Sequence, residues 1–158
     1  MDVSRLKNDE NHLSLNDQFA TDVLMGFCSL PKRLSPKYFY DDRGSELFQK
    51  ITQHPDYYPT RTEFEIFKNM KGELASLVND NEIDIIELGA GDGHKSQLIL
   101  DSFLNADKKV NYFPIDISEE AMIQLDQTIN RHKNLNIHGV VSEYLSGITF
   151  LKKKSKNR

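Results

Sequence analysis

The chain has 158 residues, of which 38% are hydrophobic and 28% charged, a balance that fits one soluble globular unit able to bury a core. Its formal net charge of −4 excludes a general nucleic-acid binder, which needs a basic face for phosphates, and the short basic tail Lys152 to Arg158 reads as a solvated end. No apolar run approaches the ~20 residues of a membrane span, the opening MDVSRLKNDENHLS lacks the apolar core of a secretory signal, and one cysteine builds no disulfide framework. A reducing, cytoplasmic setting is expected, with Cys28 as a small buried core residue.

In chain order, Phe19, Val23, Leu24 and Phe27 recur at helical spacing and predict a helix over residues 16–30, closed by Pro31. GSELFQKIT (residues 44–52) predicts a short helix with Asp42 or Ser45 as its cap. QHPDYYPTR is then a restricted loop, two prolines bracketing Tyr57 and Tyr58. Thr60 and Glu63 form a capping-box pattern at the start of a third helix, whose stripe runs through Phe64, Phe67, Leu74, Leu77 and Val78.

The texture changes near residue 80, so a helical N-terminal region (1–80) is expected to precede an α/β region (81–158). IDIIEL, VNYFPID and LNIHGVV read as strands, with GHKSQLILDSFL and SEEAMIQLDQTIN as the helices between them. This β-α-β-α-β pattern predicts half of a doubly wound, Rossmann-like parallel sheet with these three strands in the order 3-2-1.

The glycine turn ELGAGDGHK carries Gly89, Gly91 and Gly93, a G-x-G-x-G spacing that departs from the G-x-G-x-x-G of dinucleotide folds. A dehydrogenase-type domain is therefore disfavoured. With Glu87 just before it, the turn is similar to the first motif of class I methyltransferases, where small residues let S-adenosylmethionine (SAM) approach the backbone. Asp116, 25 residues beyond Gly91 at the end of the second strand, is placed to accept from ribose hydroxyls, or else to cap the following helix. Glu143 and Tyr144 follow the third strand, where an acid and a ring could meet adenine; an ordinary polar loop is the alternative. His94 and His138 lack a second ligand at metal-binding spacing, so no metal is expected.

The run LSPKYFYDDRGSELFQKITQHPDYYPTRTE followed by IIELGAGDGHKSQLIL resembles the N-terminal part of the histidine N-alpha-methyltransferase family. The resemblance covers residues 16 to 158 and implies SAM as cofactor, L-histidine as substrate and a place in ergothioneine biosynthesis. It implies cofactor contacts at Gly89, Gly91, Lys95, Asp116, Glu143 and Tyr144, and substrate contacts at Tyr57 and Tyr40. Where the family usually has Asp-Phe, this chain has Glu143-Tyr144. The family's domain continues past residue 158 into a fourth strand and a substrate subdomain, so an incomplete enzyme with little activity alone is expected. The rival reading is a binding module or half of a split enzyme, whose bare strand edge pairs with itself or with a second chain.

Overall fold

A computed structural model describes residues 1–6, 15–39, 41–70 and 72–155. Four strands form one parallel sheet: β1 (Asp2–Arg5), β2 (Glu82–Leu88), β3 (Lys109–Asp116) and β4 (Leu135–Val141), in the order β1-β4-β3-β2. The three expected strands thus lie in the expected order. They are joined by β1, which pairs with β4 from Asp2↔His138 to Arg5↔Val141. The N-terminal region is therefore not wholly helical. Several contacts hold β1: Ser4 bonds His138 at 3.0 Å, Arg5 pairs with Glu119, and the Met1 ammonium sits 3.3 Å from Asp126.

The helices are α1 (Leu15–Cys28), α2 (Asp42–Thr52), α3 (Tyr58–Met70), α4 (His94–Leu104), α5 (Glu119–Thr128) and α6 (Tyr144–Ser155), with 3₁₀ turns at Pro36–Phe39 and Leu74–Leu77. Crossover helices α4 and α5 share one face of the sheet. There Leu100, Phe103, Leu104, Leu125 and Ile129 pack on Val110 and Tyr112. Successive strand residues point to opposite faces, so Phe113 and Ile115 belong to the other face, where they meet Val140 and the α6 residues Phe150 and Leu151. The core is thus two-sided over β3 and β4. Among the described residues no helix is long and apolar enough to cross a membrane.

The N-terminal helices depart from expectation in five respects. The cap of α2 is Asp41, whose carboxylate accepts the Gly44 N–H at 2.7 Å. Helix α3 starts at Tyr58 rather than at a Thr60 cap, because Pro59 with its fixed φ suits a first helical turn. That helix also ends at Met70, and the remainder of the expected stripe becomes a separate 3₁₀ turn beyond Gly72. Cys28 is exposed, not buried. Helix α1 docks through Gly26, where an added Cβ would lie 2.0 Å from the Arg33 carbonyl oxygen, and Cys28 is about 200° around the helix from that contact. The apolar stripes remain largely uncovered as well: Leu24, Phe27, Leu47 and Ile51 are exposed and α3 buries no residue.

Candidate cofactor site

The site is built where β2 and β3 end. All three turn glycines have positive φ, +70° at Gly89, +56° at Gly91 and +81° at Gly93, a backbone region that penalises any Cβ. Gly93 is also the residue before α4, and its face is closed by Leu125 and Ile129. Gly91 faces open space, with nothing within 4 Å of where a Cβ would be. The turn therefore packs on the core at one glycine and leaves another facing open space.

Asp116 joins the elements of the site. Its Oδ2 accepts the Gly91 N–H at 3.1 Å and its Oδ1 accepts the Ser118 N–H at 3.0 Å. The cap of α5 is Ser118 itself, whose Oγ accepts the Ala121 N–H at 3.1 Å, so the capping reading of Asp116 falls and its carboxylate is found ordering the turn. Ser118→Ala should accordingly cost about 1 kcal/mol in chemical unfolding while leaving Asp116 and its Gly91 contact in place.

Glu87, the acid before the turn, points into the core face. Its Oε2 accepts the hydroxyls of Ser96 at 2.7 Å and Tyr112 at 2.6 Å, clamping the first turn of α4 to the sheet. Burial, reinforced by the Glu87 charge, pushes the Tyr112 hydroxyl far above its ordinary pKa. Neither Ser96 nor Tyr112 was legible as part of this clamp, since a serine in a helix and a tyrosine in a strand carry no motif.

Tyr144 opens α6, and its phenolic oxygen lies 2.7 Å from where a Gly89 Cβ would be, so the ring reaches over the turn. Glu143 is exposed beside it, one residue past Ser142, whose N–H donates to the Asp116 carbonyl at 2.9 Å. Lys95 Nζ instead contacts Glu63 Oε2 at 2.8 Å, linking α4 to α3. Glu63 was legible only as half of a capping box. A second tie, Gln49 to Gln124 at 2.8 Å, joins α2 to α5. Tyr57 packs edge-to-face on Phe48 at 6.1 Å and lines a hollow of ≈ 540 Å³ with Leu47, Lys50, Ile51, His54 and Asp56. Gly89, Gly91, Asp116 and Tyr144 are thus gathered at the sheet's carboxyl edge, Lys95 is turned towards α3, and Tyr57 belongs to a separate hollow. Tyr40 lies outside the described residues.

An all-parallel sheet with crossover helices, a positive-φ glycine turn after one strand and an acid at the end of the next define the ligand-binding part of a Rossmann-like methyltransferase fold. The model of the SAM-dependent, histidine-specific methyltransferases matches residues 19–158, and the chain belongs to that family. It is 33% identical to histidine N-alpha-methyltransferase of Mycobacterium tuberculosis over 93% of this chain and 44% of the relative. It is also 33% identical to ergothioneine biosynthesis protein 1 of Neurospora crassa, over 77% of this chain and 14% of that one. With 4-dimethylallyltryptophan N-methyltransferase of Claviceps purpurea it shares 32% identity over 68% of this chain and 30% of the relative. The chain therefore spans less than half the length of these relatives, matching their N-terminal part.

Proposed function

We propose that this chain binds SAM at the Gly89–Gly93 turn and forms the cofactor half of an amine N-methyltransferase whose substrate is L-histidine. The Asp116 carboxylate carries the reading. Two backbone donors fix it, and with about four lone-pair sites on a carboxylate it retains acceptor capacity for the two ribose hydroxyls. The open face of Gly91 admits the amino-acid end of the cofactor against the backbone, and Tyr144 and Glu143 border the adenine side. When bound, SAM supplies a methyl group for in-line transfer to an amine nitrogen. The chain's own contribution is to hold the donor still; Tyr57, which the resemblance gives to the substrate together with Tyr40, lines the separate hollow beside α2.

Histidine is favoured over other amines by the names of the M. tuberculosis relative and of the matching family; the C. purpurea relative is named for a tryptophan derivative. The proposal places the protein in the cytoplasm. Calorimetric titration with S-adenosylhomocysteine (SAH) should show one site and titration with NAD none. A chain that ignores SAH, or prefers NAD, overturns the proposal. Alone, the chain should methylate histidine at a small fraction of a full-length relative's rate, because it spans 44% of that protein, and a comparable rate would refute this part.

A further inference from the structure

Lysine is a poor choice for the position that Lys95 holds. The first turn of α4, His94 to Gln97, contains no acid, and the positive end of the helix dipole there favours anions and opposes cations. Neither nearby acid is the partner of Lys95. Asp92 accepts the His94 N–H at 3.2 Å, and Asp116 accepts the Gly91 and Ser118 N–H groups, so both are engaged with backbone. Lys95 instead takes its counter-charge from α3, where Glu63 Oε2 lies 2.8 Å from its Nζ. The two side chains are 42% and 52% exposed, and an ion pair so open to water adds little to stability. Such a contact is a weak brace and an easily exchanged one.

SAM has a single carboxylate, on the amino-acid end that the open face of Gly91 admits, and Lys95 follows Gly91 by four residues. An ammonium already held by Glu63 serves that carboxylate poorly, because the two anions meet across it. We propose that Glu63 is a place-holder for the cofactor's carboxylate: it holds Lys95 against α3 in the free chain and gives it up when SAM binds. This role deepens, and rests on, the binding of SAM at the Gly89–Gly93 turn. A compact ammonium on a flexible four-carbon stem can pass from one carboxylate to the other without moving α4.

The exchange reaches the hollow beside α2. Helix α3 buries no residue, so its polar ties weigh heavily in where it sits. Two residues before Glu63, Arg61 donates to the carbonyls of His54 and Pro55 at 3.3 and 2.6 Å, and His54 lines the hollow together with Tyr57. Releasing Glu63 therefore loosens from α4 the same helix that braces the rim of the hollow. Occupancy of the cofactor turn and the position of that rim become coupled, each biasing the other by the same factor.

Glu63→Gln removes the charge and keeps the shape, which makes it the test. In the free chain the fraction of molecules with Lys95 latched to Glu63 lowers the apparent affinity, so Glu63→Gln should tighten SAH binding by roughly two- to fivefold in calorimetry. The gain should vanish in ~1 M salt, where the screening length is about 3 Å. It should vanish as well with 5′-methylthioadenosine, which lacks the amino-acid end, and in a Lys95→Met background, which by itself binds SAH more weakly. Amide exchange at Glu65 to Asn69 should quicken by a similar factor when SAH is added to the wild type, and in ligand-free Glu63→Gln. If the wild type binds SAH and Glu63→Gln binds it no better, or gains equally with 5′-methylthioadenosine or without Lys95, then Glu63 is no place-holder and SAM binding stands. A wild-type chain that binds neither SAH nor 5′-methylthioadenosine overturns both together.

Discussion

Asp116→Ala should weaken SAH binding by roughly 30- to 150-fold, about 2 to 3 kcal/mol, while shifting the unfolding midpoint of the ligand-free chain only slightly. The loss has two sources. Hydrogen bonds to a charged acceptor are worth about 1.5–3 kcal/mol each, and in the proposed binding mode the ribose end of the ligand loses its acceptor outright. The Gly91 N–H also loses the oxygen 3.1 Å away that fixes the turn, so part of the ordering of the turn must then come from the ligand's own binding energy. The small effect on folding follows from exposure: Asp116 is half-buried, and water can replace it at both backbone donors. Asp116→Asn should fall between the two, because its amide oxygen can serve one donor while its NH₂ confronts the other. Calorimetry with SAH, paired with urea unfolding of the same samples, separates the outcomes. Affinity within threefold of wild type in Asp116→Ala would remove Asp116 from the site.

The α/β half was legible because its signals are local and repeated. Strands of alternating or continuous apolar residues, helix caps such as Ser118 and a glycine turn that needs positive φ each carry their conformation in their own residue types, and the strand limits at Leu135–Val141 coincide with the expectation. Strand β1 was hidden for the opposite reason. Asp-Val-Ser-Arg has no apolar alternation, and it is a strand because β4 offers an edge and because His138, Glu119 and Asp126 supply partners more than a hundred residues away. Tertiary context overrides propensity there.

The site divides along the same line. Gly89, Gly91 and Asp116 announce themselves by type and spacing, and the structure gathers them through one carboxylate. Lys95 and Glu63 carry opposite charges 32 residues apart, which no local pattern links; the family resemblance assigns one to a cofactor, the capping-box pattern assigns the other to a cap, and the structure pairs them. The apolar stripes of α1 to α3 were read as core because periodicity reports which residues share a face, not whether anything covers it.

The clamp beneath the turn leads to a pH dependence of calculable sign. Tyr112 is 1% exposed, and burial together with the Glu87 charge raises its folded pKa well above the unfolded value of about 10. Below pH 10 both states keep the phenolic proton, and the clamp's contribution to stability is fully present. As pH rises further the unfolded chain releases that proton while the folded chain holds it, so stability falls by about 1.4 kcal/mol per pH unit from this group alone. Tyr112→Phe removes the effect together with one donor to Glu87, leaving Ser96 as the other. At pH 8 the variant should therefore be less stable than wild type by about 1 to 3 kcal/mol, the cost of withdrawing a hydrogen bond from a half-buried carboxylate. Between pH 10 and 11.5 the gap should shrink by roughly 2 kcal/mol, because only the wild type has a buried phenol to titrate on unfolding. Exposed lysines and the remaining tyrosines titrate alike in both proteins and cancel in the difference. Urea unfolding of the pair at pH 8, 10 and 11.5 measures it. A gap that stays constant across these points would mean that Tyr112 meets alkali in the folded state, and that the Glu87 clamp does not seal the base of the turn.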